Sequence, residues 1–186
     1  NGDWVSAATA DIKTQYADAA VYDAAGRVIM PGLICAHTHI YSAFARCIAL
    51  PQKSANRDFM DILENPWWRM DKVLDEADNR YSAYSTGLES VRNGVTTIFD
   101  HHASQHHVAG SLFAINEALG DIGIRRSLCY EVSDRDGEAI AEEAIRENIA
   151  FIDAAAKDDT DMSKGMLGLH ASFPLRPNPM EKCVAA

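Results

Sequence analysis

Pro31-Gly32-Leu33-Ile34-Cys35-Ala36-His37-Thr38-His39 is the stretch that decides the reading of this chain. An apolar run ends in two histidines one residue apart. On a strand, side chains at i and i+2 share a face. Leu33, Cys35, His37 and His39 therefore line one face, and Ile34, Ala36, Thr38 and Ile40 the other. Two imidazoles side by side at a strand end can hold one metal ion, with nitrogens ~2.0–2.1 Å away if the ion is zinc. They supply two ligands only. The competing reading makes both histidines polar surface residues where the strand leaves the core, and spacing alone does not separate the two.

Outward from this strand the chain becomes regular. Residues 1–30 read as short strands or irregular chain with a turn at Ala25-Gly26, and the first clear strand is expected from Arg27 to His39. A long connection follows over 40–75. It holds a turn of helix near Ile40, and a short amphipathic helix on Phe59, Ile62 and Leu63 that Asn65-Pro66 should stop. Tyr81, Tyr84, Leu88 and Val91 fall at helix spacing, and Asn93-Gly94 ends that helix. Val95-Thr96-Thr97-Ile98-Phe99 is a β-branched strand running into Asp100-His101-His102. Val108, Leu112, Ile115, Leu119 and Ile122 mark a second helix, closed by Gly123. A third strand covers Ile124–Tyr130. Asp134 or Asp136 is positioned to cap a third helix, with the stripe Ala141, Ile145, Ile149 and Ile152. A fourth strand over Met166–Leu169 ends at His170, and Pro177 starts another helix.

Such alternation means parallel strands joined by crossover helices. The helix-to-strand joints are tight, whereas the strand-to-helix joints carry histidines, acids and serines. That polarity fits a (β/α)8 barrel, whose chemistry sits at the C-terminal ends of its strands. A doubly wound sheet shares the polarity, but no glycine-rich phosphate loop supports it.

Composition narrows the partners. In 186 residues the formal net charge is −10, with no basic cluster, so neither nucleic acid nor an anionic membrane is an expected partner. No apolar stretch approaches the ~20 residues that span a bilayer. The first residues, Asn1-Gly2-Asp3-Trp4, show no signal-peptide pattern and no initiator Met. The four cysteines (Cys35, Cys47, Cys129 and Cys183) are scattered and form no C-x-x-C, which argues against a thiolate metal site and fits a reducing cytoplasm.

The strand at 31–39 resembles the first barrel strand of the amidohydrolase superfamily. Trp67-Trp68-Arg69-Met70-Asp71, Asn93-Gly94-Val95-Thr96, Phe99-Asp100-His101-His102-Ala103-Ser104 and Gly168-Leu169-His170-Ala171-Ser172-Phe173 resemble, in order, segments of its aminohydrolase/chlorohydrolase group, and within that the SsnA-type aminohydrolases. The likeness covers about residues 28–180. It implies an α/β protein: the first half of a (β/α)8 TIM barrel (strands 1–4) over 31–186, beside a remnant of a small N-terminal β-sandwich over 1–30.

The resemblance also implies roles. His37 and His39 are the metal ligands, and the ion is a divalent metal, Zn2+ first and Fe2+ second. His170 is a substrate-binding residue near the metal; the plainer alternative is a cap on the next helix. Trp68, with Trp67, forms an aromatic wall for a flat ring or packs the loop on the barrel. Asp100, His101 and His102 either orient a metal-bound histidine or belong to a solvated loop. His106 and His107 read as exposed, Asp71 and Arg69 as a surface ion pair, and Arg125 and Arg126 as structural. The remaining family residues lie on later strands: a His on strand 5 with a Glu after it, a His on strand 6 and an Asp on strand 8. The catalytic residues are therefore expected outside these 186 residues, which read as a fragment without activity of its own.

The expected function of the parent protein is metal-assisted hydrolysis of a C–N bond, a deamination of a purine-, pterin- or triazine-like heterocycle, with hydrolytic dechlorination as the alternative. The expected partners are that small molecule and a second copy of the chain, as a homo-oligomer (a dimer). The non-enzymatic reading is an inert fragment or interaction module that keeps the strand pattern.

Overall fold

The computed structural model describes residues 9–46, 57–171 and 175–186. Cys47 and Ser172-Phe173 lie outside them. The chain divides into two units, Asn1–Pro31 and Gly32–Ala186. In the first, a helix α1 (Thr9–Gln15) stands where short strands or irregular chain were expected, and no strand is present among its described residues.

The second unit carries the sheet. Strand β1 (Leu33–Thr38) is shorter than the expected Arg27–His39. Pro31 has no N–H to give a ladder, and pairing begins where Leu33 N–H donates to the Gly94 carbonyl at 2.9 Å. The sheet is parallel throughout, in the order β1, β2 (Val95–His102), β3 (Arg125–Val132), β4 (Ser163–Gly165), and β5 (Gly168–Leu169) also pairs with β3. This is the arrangement expected of the first half of a (β/α)8 barrel.

The fourth strand is not the continuous Met166–Leu169 of the sequence reading. It starts earlier and breaks into β4 and β5. The break has a physical cause. Asn148, on helix α6 (Glu138–Ala155), accepts from Tyr130 N–H at 2.9 Å and donates to the Tyr130 carbonyl at 2.9 Å. One side-chain amide thus supplies the two ladder bonds that strand four would have made at Tyr130. Glycines let both pieces lie close. A Cβ at Gly165 would meet Ile152 Cα at 2.7 Å, and one at Gly168 would meet the Tyr130 carbonyl at 2.6 Å.

The connection after β1 is more helical than expected. A 3₁₀ helix covers Ile40–Ala45. Helix α2 (Phe59–Ile62) does not stop at Asn65-Pro66. It runs through a π turn (Leu63–Trp67), with Pro66 inside, into α3 (Trp68–Met70). The wider π turn accommodates a proline that an α-helix interior would reject.

Helix α4 (Glu76–Arg92) opens with a capping box between Asp75 and Asp78. Its expected stripe is not its packing face. Tyr81, Leu88 and Val91 are exposed, and Asn79, Ser82, Ala83 and Gly87 are buried. Small residues bring α4 against α5 (Ser111–Ile122), where a Cβ at Gly87 would stand 2.6 Å from Ile122 Cδ1. Leu112, Ile115 and Leu119 of α5 are fully buried, as their spacing predicts. In α6 the buried line is Ala141, Ala144, Ile145, Asn148 and Phe151, and Ile149 drifts outward. Its N-cap is Gly137 rather than either aspartate. Asp136 instead pairs with Lys72 at 2.6 Å, and Asp134 accepts from Arg176 N–H at 3.2 Å. Helix α7 (Pro177–Ala185) closes the chain with proline at its start. No helix among the described residues is long and apolar enough to cross a membrane.

Candidate functional site

The register brings the C-terminal ends of β1, β2, β3 and β5 to one pole. His101 aligns with Cys129, and Glu131 with Gly168. His37 lies in an irregular part of the β1–β2 ladder between Cys35 and Thr38. Just beyond β1, the Ile40 N–H donates to Asp100 Oδ1 at 2.7 Å and Ser42 Oγ donates to the His39 carbonyl at 2.6 Å. These two bonds fix the chain where it turns after His39. Asp100 is fully buried, and burial pushes its carboxyl up to about 8.

His37 and His39 present Nε2 atoms to each other at 3.2 Å. His39 Nδ1 faces only acceptors, the His101 carbonyl at 2.9 Å and Glu131 Oε1 at 3.2 Å. A ring nitrogen between acceptors carries the proton, so the His39 Nε2 lone pair is bare and aimed at His37. Two nitrogens ~2.0–2.1 Å from one tetrahedral ion stand about 3.3 Å apart. Spacing and tautomer therefore fit two ligands of one zinc-like ion. Among the described residues no group of three or more His, Cys, Asp or Glu side chains surrounds one ion position, so the pair is a partial ligand set.

The other expected residues divide. His101 stacks near His37, with ring centroids 4.6 Å apart, and burial and the neighbouring His37 lower its pKa. His102 points the other way, into the core. Its Nε2–H meets Ser104 Oγ at 2.8 Å, its ring is edge-on to Tyr130, and burial pushes its pKa down to about 3. Strand alternation separates the two, as it separates His101 from Asp100. His170 Nε2 accepts from the Trp68 indole N–H at 3.3 Å, and its Nδ1 bonds Glu131 Oε2. Trp68 supports His170 from behind, while Trp67 lines the cavity.

That cavity, about 410 Å³, is bounded on its polar side by His37, His39, His101, Glu131 and His170. Phe59, Leu63, Trp67 and Leu169 form its apolar side. A model described as "Amidohydrolase family" matches residues 28–186. The chain belongs to the amidohydrolase family. Similar proteins include a 5-methylthioadenosine/S-adenosylhomocysteine deaminase of Desulforudis audaxviator, 31% identical over 88% of this chain and 35% of that protein. Another, of Thermococcus kodakarensis, is 30% identical over 82% of this chain and 33% of that protein. The chain spans about a third of the length of these curated relatives. Among solved structures, guanine deaminase from C. acetobutylicum, with bound guanine in its active site, aligns at a TM-score of 0.71 and 15% identity, over 91% of this chain and 39% of that one. Atrazine chlorohydrolase TrzN from Arthrobacter aurescens TC1, complexed with zinc, aligns at 0.58 and 22%, over 83% and 38%. At these identities the two structures speak for the fold.

Two features of this amidohydrolase chain escaped the sequence reading. Glu131, just past the end of the expected third strand, touches both His39 and His170. Asp71 is no surface residue. It is 1% exposed and pairs with Arg135, whose guanidinium carbon also lies 4.9 Å from the Trp68 ring centroid. Burial outweighs that pairing and holds the Asp71 carboxyl up at about 6. An acid at the penultimate position of the strand was the available cue for Glu131.

Proposed function

We propose that this chain is the metal-binding portion of a hydrolase that deaminates a heterocyclic small molecule. The carrying observation is the 3.2 Å Nε2–Nε2 pair of His37 and His39, with the outer nitrogen of His39 held by acceptors, at the mouth of a cavity that also holds His170. His37 and His39 would hold the ion through Nε2, with zinc as the first candidate and iron the second. Such an ion supplies Lewis-acid activation of water at neutral pH. Phe59, Leu63, Trp67 and Leu169 offer an apolar wall for a flat ring and exclude bulk water. His170, backed by Trp68 and Glu131, is placed to face the substrate's polar edge. The names of the deaminase relatives support this substrate class, and the triazine hydrolases support dechlorination as the second reading.

The same reading assigns residues 1–30 to a remnant of a small β-sandwich, the protein to the cytoplasm and its working form to a homodimer. The remaining ligands and the catalytic acid–base groups are assigned to chain outside these 186 residues. The test uses the longest natural protein that carries this sequence, loaded with zinc, and follows ammonia and chloride release over a panel of purines, pterins and chlorotriazines. Ammonia release that is lost in His37→Ala and His39→Ala is expected. Chloride release alone selects dechlorination, and release of neither product overturns both readings.

A further inference from the structure

Glu131 is 4% exposed, and its two oxygens lie against ring nitrogens of two residues that line the cavity. Oε1 stands 3.2 Å from His39 Nδ1, and Oε2 bonds His170 Nδ1. Burying a carboxylate is costly unless hydrogen-bond donors meet it. Here the groups that meet it are two imidazoles carried on separate strand ends, His170 as a hydrogen-bond partner and His39 as a close neighbour.

The tautomers follow from partners other than Glu131. The Trp68 indole is a donor only, so the His170 Nε2 it meets at 3.3 Å is bare and Nδ1 carries the proton. The His101 carbonyl at 2.9 Å accepts, so His39 Nδ1 carries its proton too. The His170 Nδ1–H is bonded to Oε2, and the His39 Nδ1, whose N–H goes to the His101 carbonyl, lies 3.2 Å from Oε1 of the same carboxylate. An amide of the same shape has one acceptor and one donor end, so it serves one ring and opposes the other.

We propose that Glu131 is a positioning residue that locks His39 to His170, setting the substrate-side ring relative to the metal-side ring. The proposal rests on His39 being a ligand and His170 a substrate residue. Partners of this kind behind a metal-bound histidine typically change metal affinity by about 10–100-fold when removed.

The test is made on the 186-residue chain with Glu131→Gln. Long-range proton–nitrogen correlation spectra of the histidine rings report which nitrogen carries the proton, without metal. Wild type should show Nδ1–H at both His39 and His170. Glu131→Gln should leave both rings Nδ1–H, because the Trp68 indole and the His101 carbonyl remain, but shift the His170 Nδ1–H resonance and weaken zinc binding at His37 and His39 by about 10–100-fold. Trp68→Phe should leave His170 in the Nδ1–H form, because the carboxylate remains. An Nε2–H ring at either position in wild type overturns the proposal, even if the variant does not fold. So does a folded Glu131→Gln chain that leaves either the His170 Nδ1–H resonance or the zinc affinity unchanged. Failure of zinc to perturb the wild-type His37 and His39 signals would instead sink the metal reading and leave the tautomer result to stand on its own.

Discussion

His37 and His39 face each other nitrogen to nitrogen at 3.2 Å, while the far side of His39 is occupied by the His101 carbonyl. The arrangement has two ways to be satisfied, a shared proton or a shared cation. Zinc should displace the proton, so zinc titration of the 186-residue chain at pH 7 should shift the ring signals of these two histidines together. Removing either ring should weaken binding at least tenfold, because two-point chelation is lost. Isothermal titration of His37→Ala and His39→Ala checks this. Undiminished affinity would place the ion elsewhere.

The Asp71–Arg135 pair should matter for stability more than a surface pair would. Both side chains are almost wholly buried, at 1% and 6% exposure. Removing one member of such a pair leaves an uncompensated charge and costs about 3–5 kcal/mol. Asp71→Ala should lower the urea midpoint accordingly. Asp71→Leu with Arg135→Met should recover most of the loss, since the desolvation penalty then disappears.

His102 should make folding sensitive to acid. It is fully buried and neutral, with Nε2–H donating to Ser104 Oγ, and its pKa lies near 3 against the ordinary 6.5. The unfolded chain takes up a proton below pH ~6.5 and the folded chain does not. Protons therefore favour the unfolded state across that interval, and stability falls as pH drops from about 6.5 to about 3. Denaturation midpoints measured across this range should fall less steeply in His102→Gln than in wild type. Parallel curves would show that the ring is charged in the folded protein.

Asn148 should be costly to replace. Its amide serves Tyr130 N–H, the Tyr130 carbonyl and the Ala144 carbonyl. Asn148→Leu keeps the volume and strands two buried backbone groups of β3, at about 1–3 kcal/mol each. Chemical denaturation should show a loss of about 2–6 kcal/mol by that arithmetic. A loss under about 1 kcal/mol would mean that the strands close over the gap.

Much of this architecture can be read in the chain. The β-branched run at Val95–Phe99, the glycines at 94 and 123, and the apolar stripe of α5 each announce their structure through local spacing, and the paired histidines announce a site. The face of α4 was misread because its packing relies on Ser82, Ala83 and Gly87, whose smallness is the asset, and a hydrophobic stripe is blind to that. The partners of the site escaped for a different reason. Glu131 and His170 are 39 residues apart, Asp71 and Arg135 are 64 apart, and Trp68 and His170 are 102 apart. No periodicity links such positions; only the closing of parallel strands side by side does.

The interrupted fourth strand has a consequence for motion. Ser163–Gly165 and Gly168–Leu169 both pair with β3, but the Tyr130 groups between them bond to Asn148, so the ladder is interrupted and opening one piece does not unzip the other. The outer piece, two residues long and followed by the bond from His170 N–H to the Val132 carbonyl, is the smaller cooperative unit. The His170 amide should thus exchange with deuterated solvent well before the Arg126 amide, which bonds to Met162 next to the inner piece. His170 then sits on a segment that can breathe while the barrel wall behind it stays shut.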